Sequence, residues 1–403
     1  MERFVSDEAQ QLLLGKTIDR DGPGTILADF AALLEFIGKD GIKTTGKYQF
    51  LPQGKLNDLN AQMTCPVEHR LKHPQQRSFP HLHGLYLILR ASGLAGPMED
   101  RLTIDPRVLV QWHDLNPTEQ YFTLLDSWLV EGSCEIIAES GDDCFDTATW
   151  VFQKLLSSQS STVSINDDRG LLYGTMHLVT VALVELFGWV RLEYDKPQEG
   201  EGPKIAKIER LDFGNAMIHV LNAHYLTYRF AVPDEETGQE IGVLHKLFQP
   251  YFPEWQRTLT PPDWEFRGGT YTWRASVGQA WRRIEAPAEM SLDDLALAIL
   301  DAFDFDDEHL YCFELRDARS RKLRIACPME NKADAFTDEV TLGDLPLPAG
   351  ETMTFVYDYG DDWQFTVKLE HVAETEAKLA KPKVSAKGGQ APTQYDWDED
   401  GDE

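Results

Sequence analysis

The sharpest alternation of apolar and polar positions lies at residues 354–370. A turn-rich run, Asp358-Tyr359-Gly360-Asp361-Asp362, separates two extended stretches there. After it, Trp363, Phe365, Val367 and Leu369 fall on one face, and Thr366, Lys368 and Glu370 on the other. That is the period of a strand with one buried side. The run predicts a β-hairpin, with Gly360 supplying the positive φ of a tight connection and Trp363 as a core anchor. Residues 271–277 and 281–284 also read as extended, and 309–315 and 321–325 as further strands. Between them, Leu292, Leu295, Ile299 and Phe303 recur at helical spacing, behind Ser291 as N-cap and Asp294 in the capping-box position. Strands, one helix, then several strands make an α+β sheet with one main helix packed on it.

Upstream the period is mostly helical. Ile26, Leu27, Phe30, Leu33, Leu34 and Ile37 sit three and four apart, and Gly38 and Gly41 end that helix. A second helix starts at Leu56, and a third runs from Pro80 to a stop at Gly93. A strand at 101–104, a helix at 106–112 and an amphipathic segment from Pro117 to Val130 follow. The rhythm returns with an apolar helix at 171–187, strands at 189–194 and 205–211 around a Gly/Pro/Glu-rich turn, and a helix from Phe213. Helices with a small strand element, twice over, match the layout of a winged helix. They equally match a plain α+β scaffold with no nucleic-acid role. The expected organisation is multi-domain α+β: two helical, winged-helix-like modules at 1–135 and 136–250, a linker at 251–269, an α+β domain at 270–375, and an acidic, disordered tail at 376–403, of which Tyr395–Glu403 is dispensable for folding.

Composition narrows the function classes. The 403 residues exceed one ordinary core. The net charge of −29 repels a phosphate backbone unless a local basic patch exists. Such a patch is limited to Arg70, Lys72 and Arg77. The five cysteines form no CxxC pair, which reads as reduced thiols in a cytoplasm. The acidic start lacks the apolar core of a signal peptide, and no run reaches the roughly 18 apolar residues of a membrane span.

The candidate chemistry gathers around the hairpin. Asp358, Asp361 and Asp362, beside His309, have the oxygen donors for a hard cation such as Mg²⁺, which would open phosphodiester hydrolysis. Alternatively Asp361 or Asp362 forms a buried pair with Arg282 or Arg283 and fixes the hairpin against the first strand, or the carboxylates form a solvated turn. Cys65, His69 and His73 offer three zinc-type donors, one short of a structural site. No phosphate-binding glycine loop and no nucleophile elbow occur, and no cofactor is implied.

Trp281-Arg282-Arg283-Ile284, the helix with Leu295, His309-Leu310 with Phe313, and Tyr357-Asp358-Tyr359-Gly360-Asp361-Asp362-Trp363 together resemble the plasmid pRiA ORF-three-like family, also labelled a mobile-element passenger family. Lys387–Tyr395 is similar to the "G-x-x-P-x-Q-Y" ending of some members. The resemblance covers the last third of the chain. It implies an α+β fold and an association with plasmids or transposons, and no established activity. The turn between Thr45 and Leu56 resembles, in loosened form, that of helicase-associated winged-helix regions. The expectation is a cytoplasmic, non-enzymatic binding or adaptor protein with a protein partner. The alternatives are a metal-dependent nucleic-acid hydrolase built on the Asp hairpin and a DNA-binding regulator using the N-terminal modules.

Overall fold

The structure is a computed structural model that describes residues 5–45, 49–98, 101–131, 144–157, 160–164, 175–225, 244–260, 265–316, 322–331, 333–374, 379 and 381–395. The chain divides into two compact units, with the division after Pro262. The described N-terminal part is mainly helical and the C-terminal part is built on a large sheet, so the fold is α+β.

In the N-terminal unit, the helix Ile26–Ile37 is followed by strand β1 (Ile42–Lys43), the helices Gln53–Asn60 and Pro80–Ala91, and the hairpin β2 (Ala95–Met98) and β3 (Arg101–Ile104). The three strands pair antiparallel in the order β1-β3-β2. The sequence of elements then recurs. The helix Cys144–Ser157 leads to β4 (Thr162–Ser164), the helix Thr175–Leu186 and the hairpin β5 (Val190–Asp195) and β6 (Lys204–Arg210), in the order β4-β6-β5.

The helices Pro80–Ala91 and Thr175–Leu186 pack on each other. A Cβ on Gly84 would lie 2.7 Å from Leu183 Cδ2, so the absence of a side chain at Gly84 lets the helices approach. Pro80–Ala91 is buried around its whole circumference except at Arg90. A helix apolar on all sides belongs to a core. His81 Nε2 meets Glu185 Oε2 at 2.8 Å across this contact, and Glu185 Oε1 accepts from Leu192 N at 2.7 Å.

The stretch expected as a linker from residue 251 packs into this unit as far as it is described. Phe252, Trp255 and Leu259 are buried. Trp255 stacks on Phe122 with ring centroids 4.3 Å apart, and Arg257 Nη2 reaches Glu119 Oε2 at 3.1 Å. Its Trp and Phe side chains bury large apolar areas, which outweighs the lack of periodicity.

The C-terminal unit holds an eight-stranded sheet in the order β11-β10-β9-β12-β13-β7-β8-β14. Its strands are β7 (Thr270–Val277), β8 (Ala280–Pro287), β9 (Tyr311–Arg316), β10 (Lys322–Ala326), β11 (Ala335–Phe336), β12 (Thr352–Tyr357), β13 (Trp363–Ala373) and β14 (Lys383–Gly388). All neighbours are antiparallel except β10 and β11. The helix Leu292–Phe303 covers one face and buries Leu292, Leu295, Ala296, Ile299, Leu300 and Phe303. Its Ser291–Asp294 capping box forms as the sequence indicates, with Asp294 N donating to Ser291 Oγ at 3.0 Å. Residues 383–395, expected within a disordered tail, instead supply the edge strand β14 and a docked segment ending at Tyr395; residues 396–403 lie outside the described residues.

Candidate functional site

Strands β12 and β13 form the expected hairpin, with Tyr357 opposite Trp363. Phe365, Val367 and Leu369 are fully buried. Trp363 is only partly buried at the end of that face, with its ring edge-on to Phe305 at 4.9 Å. The turn differs from the expectation. The positive φ angles belong to Asp358 and Asp362, both at 52°, and not to Gly360. Aspartate tolerates this region because its short side chain bonds locally. Asp358 Oδ1 accepts from Gly360 N at 3.0 Å, and Asp362 N donates to Asp358 O at 2.7 Å.

The expected Asp–Arg pairing is not made. Arg283 lies opposite Arg274, which lies opposite Lys368, so the register leaves Asp362 six residues further along β13, roughly 20 Å at strand rise. Asp361 and Asp362 are exposed, and Asp362 Oδ2 accepts from Gln364 Nε2 at 2.9 Å. Arg282 alternates with Ala280 and Ile284 on the buried face of β8. Its guanidinium donates to Ala302 O at 2.7 Å, Trp281 O at 2.9 Å and Gly388 O at 3.3 Å, and lies over the Phe303 ring. It thus caps the C-terminal end of the one large helix, where carbonyls lack intrahelical donors and the helix dipole is negative. Arg283, on the opposite face, pairs with Glu370 at 2.6 Å.

His309 and Asp358 do come together, with Nδ1 3.5 Å from Oδ2. They join groups the sequence reading did not single out as a site. Tyr395 Oη lies 2.9 Å from His309 Nε2 and donates to Asp306 Oδ2 at 2.6 Å. Tyr357 Oη donates to Asp306 Oδ1 at 2.5 Å. Gln394 closes the cluster: its Oε1 accepts from Asp306 N at 2.7 Å, and its Nε2 donates to Tyr395 Oη at 2.8 Å. Partial burial would raise the Asp306 carboxyl, but the Tyr357 and Tyr395 hydroxyls, Gln394 and the Glu308 amide outweigh it and hold the group well below the usual carboxylate range. Tyr395 is pushed up to about 12, first by its bond to Asp306 and then by burial. The signal available in sequence was Tyr357 on the inward face beside Phe355, since a buried tyrosine hydroxyl needs a partner. The partner itself lies 51 residues away.

A depressed carboxylate stabilises the fold fully above its unfolded value of about 3.9, and the gain is lost as pH falls below it. Deleting everything after Pro392 removes Gln394 and Tyr395, two of the groups that hold Asp306 ionised. Truncation is expected to destabilise the C-terminal unit at neutral pH, because the bonds of Gln394 and Tyr395 to Asp306 are lost. A lowered urea midpoint near neutrality, with a gap to the parent that closes only as pH falls well below the usual carboxylate range, is the expected result; equal midpoints at neutrality would show that the docked end contributes nothing.

The remaining candidates separate. His69 Nε2 lies 2.9 Å from Asn57 Oδ1, and its Nδ1 accepts from Leu71 N at 3.2 Å. Among the described residues no three His, Cys, Asp or Glu side chains are grouped to hold a metal ion, so neither Cys65-His69-His73 nor the Asp turn forms such a set. Among the described residues no helix is long and apolar enough to cross a membrane.

Among its described residues the C-terminal unit is thus an α+β sheet covered by the helix Leu292–Phe303, with a polar cluster at one sheet end. Residues 274–396 match the family described as Plasmid pRiA4b ORF-3-like protein, at the place in the chain where its motifs stand. A solved structure, a protein of unknown function from Methanosarcina mazei Go1, is similar at 24% identity over 30% of this chain and 70% of its own, with a TM-score of 0.27. No curated protein matches the chain.

Proposed function

We propose that this chain is a cytoplasmic protein-binding adaptor associated with plasmids or mobile elements, with two winged-helix-like modules used as a scaffold and not as a nucleic-acid reader. Helix, strand, helices and hairpin, with the first strand beside the third, is the winged-helix arrangement, and the strand orders β1-β3-β2 and β4-β6-β5 support it twice. In helix-turn-helix proteins the second helix of the motif enters the major groove. Here the helices before the two hairpins, Pro80–Ala91 and Thr175–Leu186, are packed on each other and buried. That burial is the observation that carries the reading, because a groove-reading face used as core is not available to DNA.

Charge supports the same side. The backbone of Arg70, in the basic segment, pairs with the acidic β5–β6 turn, through Arg70 N to Glu201 O at 2.8 Å and Gly200 N to Arg70 O at 2.9 Å. A hydrolase centred on the Asp turn has less support, since Asp361 and Asp362 are exposed and Asp362 bonds to Gln364, whereas the bonds of His309's cluster run to Tyr395, Asp306, Tyr357 and Gln394.

The test is purification of the tagged full-length chain from its host, with and without nuclease. A stoichiometric protein partner that survives nuclease is the expected result. Nucleic acid in the purified material, with every partner lost after nuclease, would overturn it.

A further inference from the structure

The outer face of the large sheet carries a charge pattern that costs the fold stability. Arg274 alternates with the buried Trp273 and Ala275, and Lys368 with the buried Val367 and Leu369, so both stand on the face opposite the core. Lys368 on β13 lies directly opposite Arg274 on β7, and Arg274 directly opposite Arg283 on β8. Side chains so placed have Cβ atoms about 5 Å apart, and like charges there destabilise a sheet. Glu370 is the one described carboxylate within ion-pair distance of the two arginines. Its Oε2 accepts from Arg283 Nε at 2.6 Å, but its Oε1 stays 3.9 Å from Arg274 Nη1. Among the described residues the Arg274 guanidinium makes no hydrogen bond, and the Lys368 ammonium makes neither a hydrogen bond nor an ion pair. Arg274 is nevertheless held in place. Its guanidinium lies 4.4 Å from the centroid of the Trp281 ring. That indole lies against Gly388, where a Cβ would come within 2.6 Å of Trp281 Nε1. Stacking occupies the flat face of a guanidinium and leaves the donors along its edge free.

We propose that the row Lys368, Arg274 and Arg283 docks an acidic segment of the protein partner, whose carboxylates supply the charge that the sheet face lacks. This rests on the adaptor reading for the partner being a protein, and adds where it binds and by what chemistry. Charge complementarity carries it. The chain as a whole is at −29, whereas this row is a local excess of cations. Glu370 neutralises Arg283, which leaves Arg274 and Lys368 for a ligand. Two unneutralised cations fall far short of the roughly 6–10 phosphate contacts of a DNA-binding protein. The net charge also repels a long polyanion more strongly than a short segment. Glu370 shows the acceptor that the row takes, a side-chain carboxylate on an arginine edge. A second carboxylate, from the partner, would meet the free edge of Arg274 in the forked geometry that arginine and carboxylate share. Lys368 would act beside it as a point charge.

The test uses the full chain and a fluorescein-labelled hexaglutamate peptide, followed by fluorescence anisotropy at low salt, with a labelled hexathymidylate strand as the second probe. Saturable binding of hexaglutamate, tighter than that of hexathymidylate, is the expected result. Lys368→Gln and Arg274→Gln should each weaken it about fivefold, the upper end for one exposed ion pair. The urea midpoint of Lys368→Gln should equal or exceed that of the parent, because a like-charged neighbour is removed. A lysine with a purely structural role would lower the midpoint and leave the peptide bound. No binding of hexaglutamate overturns the proposal, as does binding that both substitutions leave unchanged, or hexathymidylate bound at least as tightly. A failure here with a protein partner still co-purifying would strike this site and leave the adaptor reading standing.

Discussion

Gly188→Ala is expected to leave the N-terminal unit unfolded or insoluble. Gly188 has φ of +75°, and a Cβ there would lie 2.3 Å from Gly24 N and 2.7 Å from Pro23 C. Gly24, itself at +69°, would place a Cβ 2.1 Å from Leu186 O. Two backbones therefore cross here with no side chain able to rotate away, and Thr25 N donates to Leu186 O at 2.8 Å across the crossing. The left-handed conformation alone costs an alanine roughly 1–2 kcal/mol. Moving the crossing as well should bring the total above about 4 kcal/mol, a range reserved for broken cores and strained backbones. Gly54→Ala is the control. Gly54 lies in the helix Gln53–Asn60 with open space around it, and the change should be neutral or stabilising by about 0.5–1 kcal/mol. Circular dichroism melts of the two variants decide. A Gly188→Ala melt within a few degrees of the parent would mean that the crossing is not this close.

Arg282→Met should be the most damaging single change in the C-terminal unit that preserves side-chain length. The methionine keeps the stem against Phe303 but removes every donor. Carbonyls of Ala302 in the helix and Gly388 after β14 are then left facing a buried apolar group. Bonds from a charged donor contribute about 1.5–3 kcal/mol each, so a loss of about 3–5 kcal/mol is expected. Arg283→Met, one residue on, breaks a half-exposed pair with Glu370 that solvent screens, so its loss should be much the smaller of the two. The ratio of the two effects in urea unfolding is the measurement. Equal losses would show that Arg282 does not hold helix and edge strand together.

These two arginines also show what the sequence could and could not disclose. Alternation placed Phe365, Val367 and Leu369 inward, and the Ser291–Asp294 spacing placed the helix start, because both signals are local. That Arg282 is buried was within reach, since it alternates with Ala280 and Ile284. Its partners were not, because the end of the helix and the residues after β14 meet it only once the sheet order is known. The turn was misassigned to Gly360 because glycine is the usual donor of positive φ, whereas Asp358 and Asp362 take that role through bonds to neighbouring amides. The polar cluster joins Asp306, His309, Tyr357 and Tyr395 from separate segments, a juxtaposition that no spacing rule encodes. The rhythm of helices and small hairpins was visible, but not that the helices Pro80–Ala91 and Thr175–Leu186 would pack on each other.

The place of β14 in the sheet bears on the order in which the polypeptide is made. Its partner β8 leaves the ribosome early in the C-terminal unit, and every other strand is synthesised before β14. Until then β8 is an open edge, and Arg282 has only part of its set of carbonyls. A nascent chain stalled before residue 383 therefore exposes an unpaired strand, the kind of edge that templates association with other chains. Synthesis of Lys383–Gly388 pairs β8 and leaves the shorter β14 as the edge.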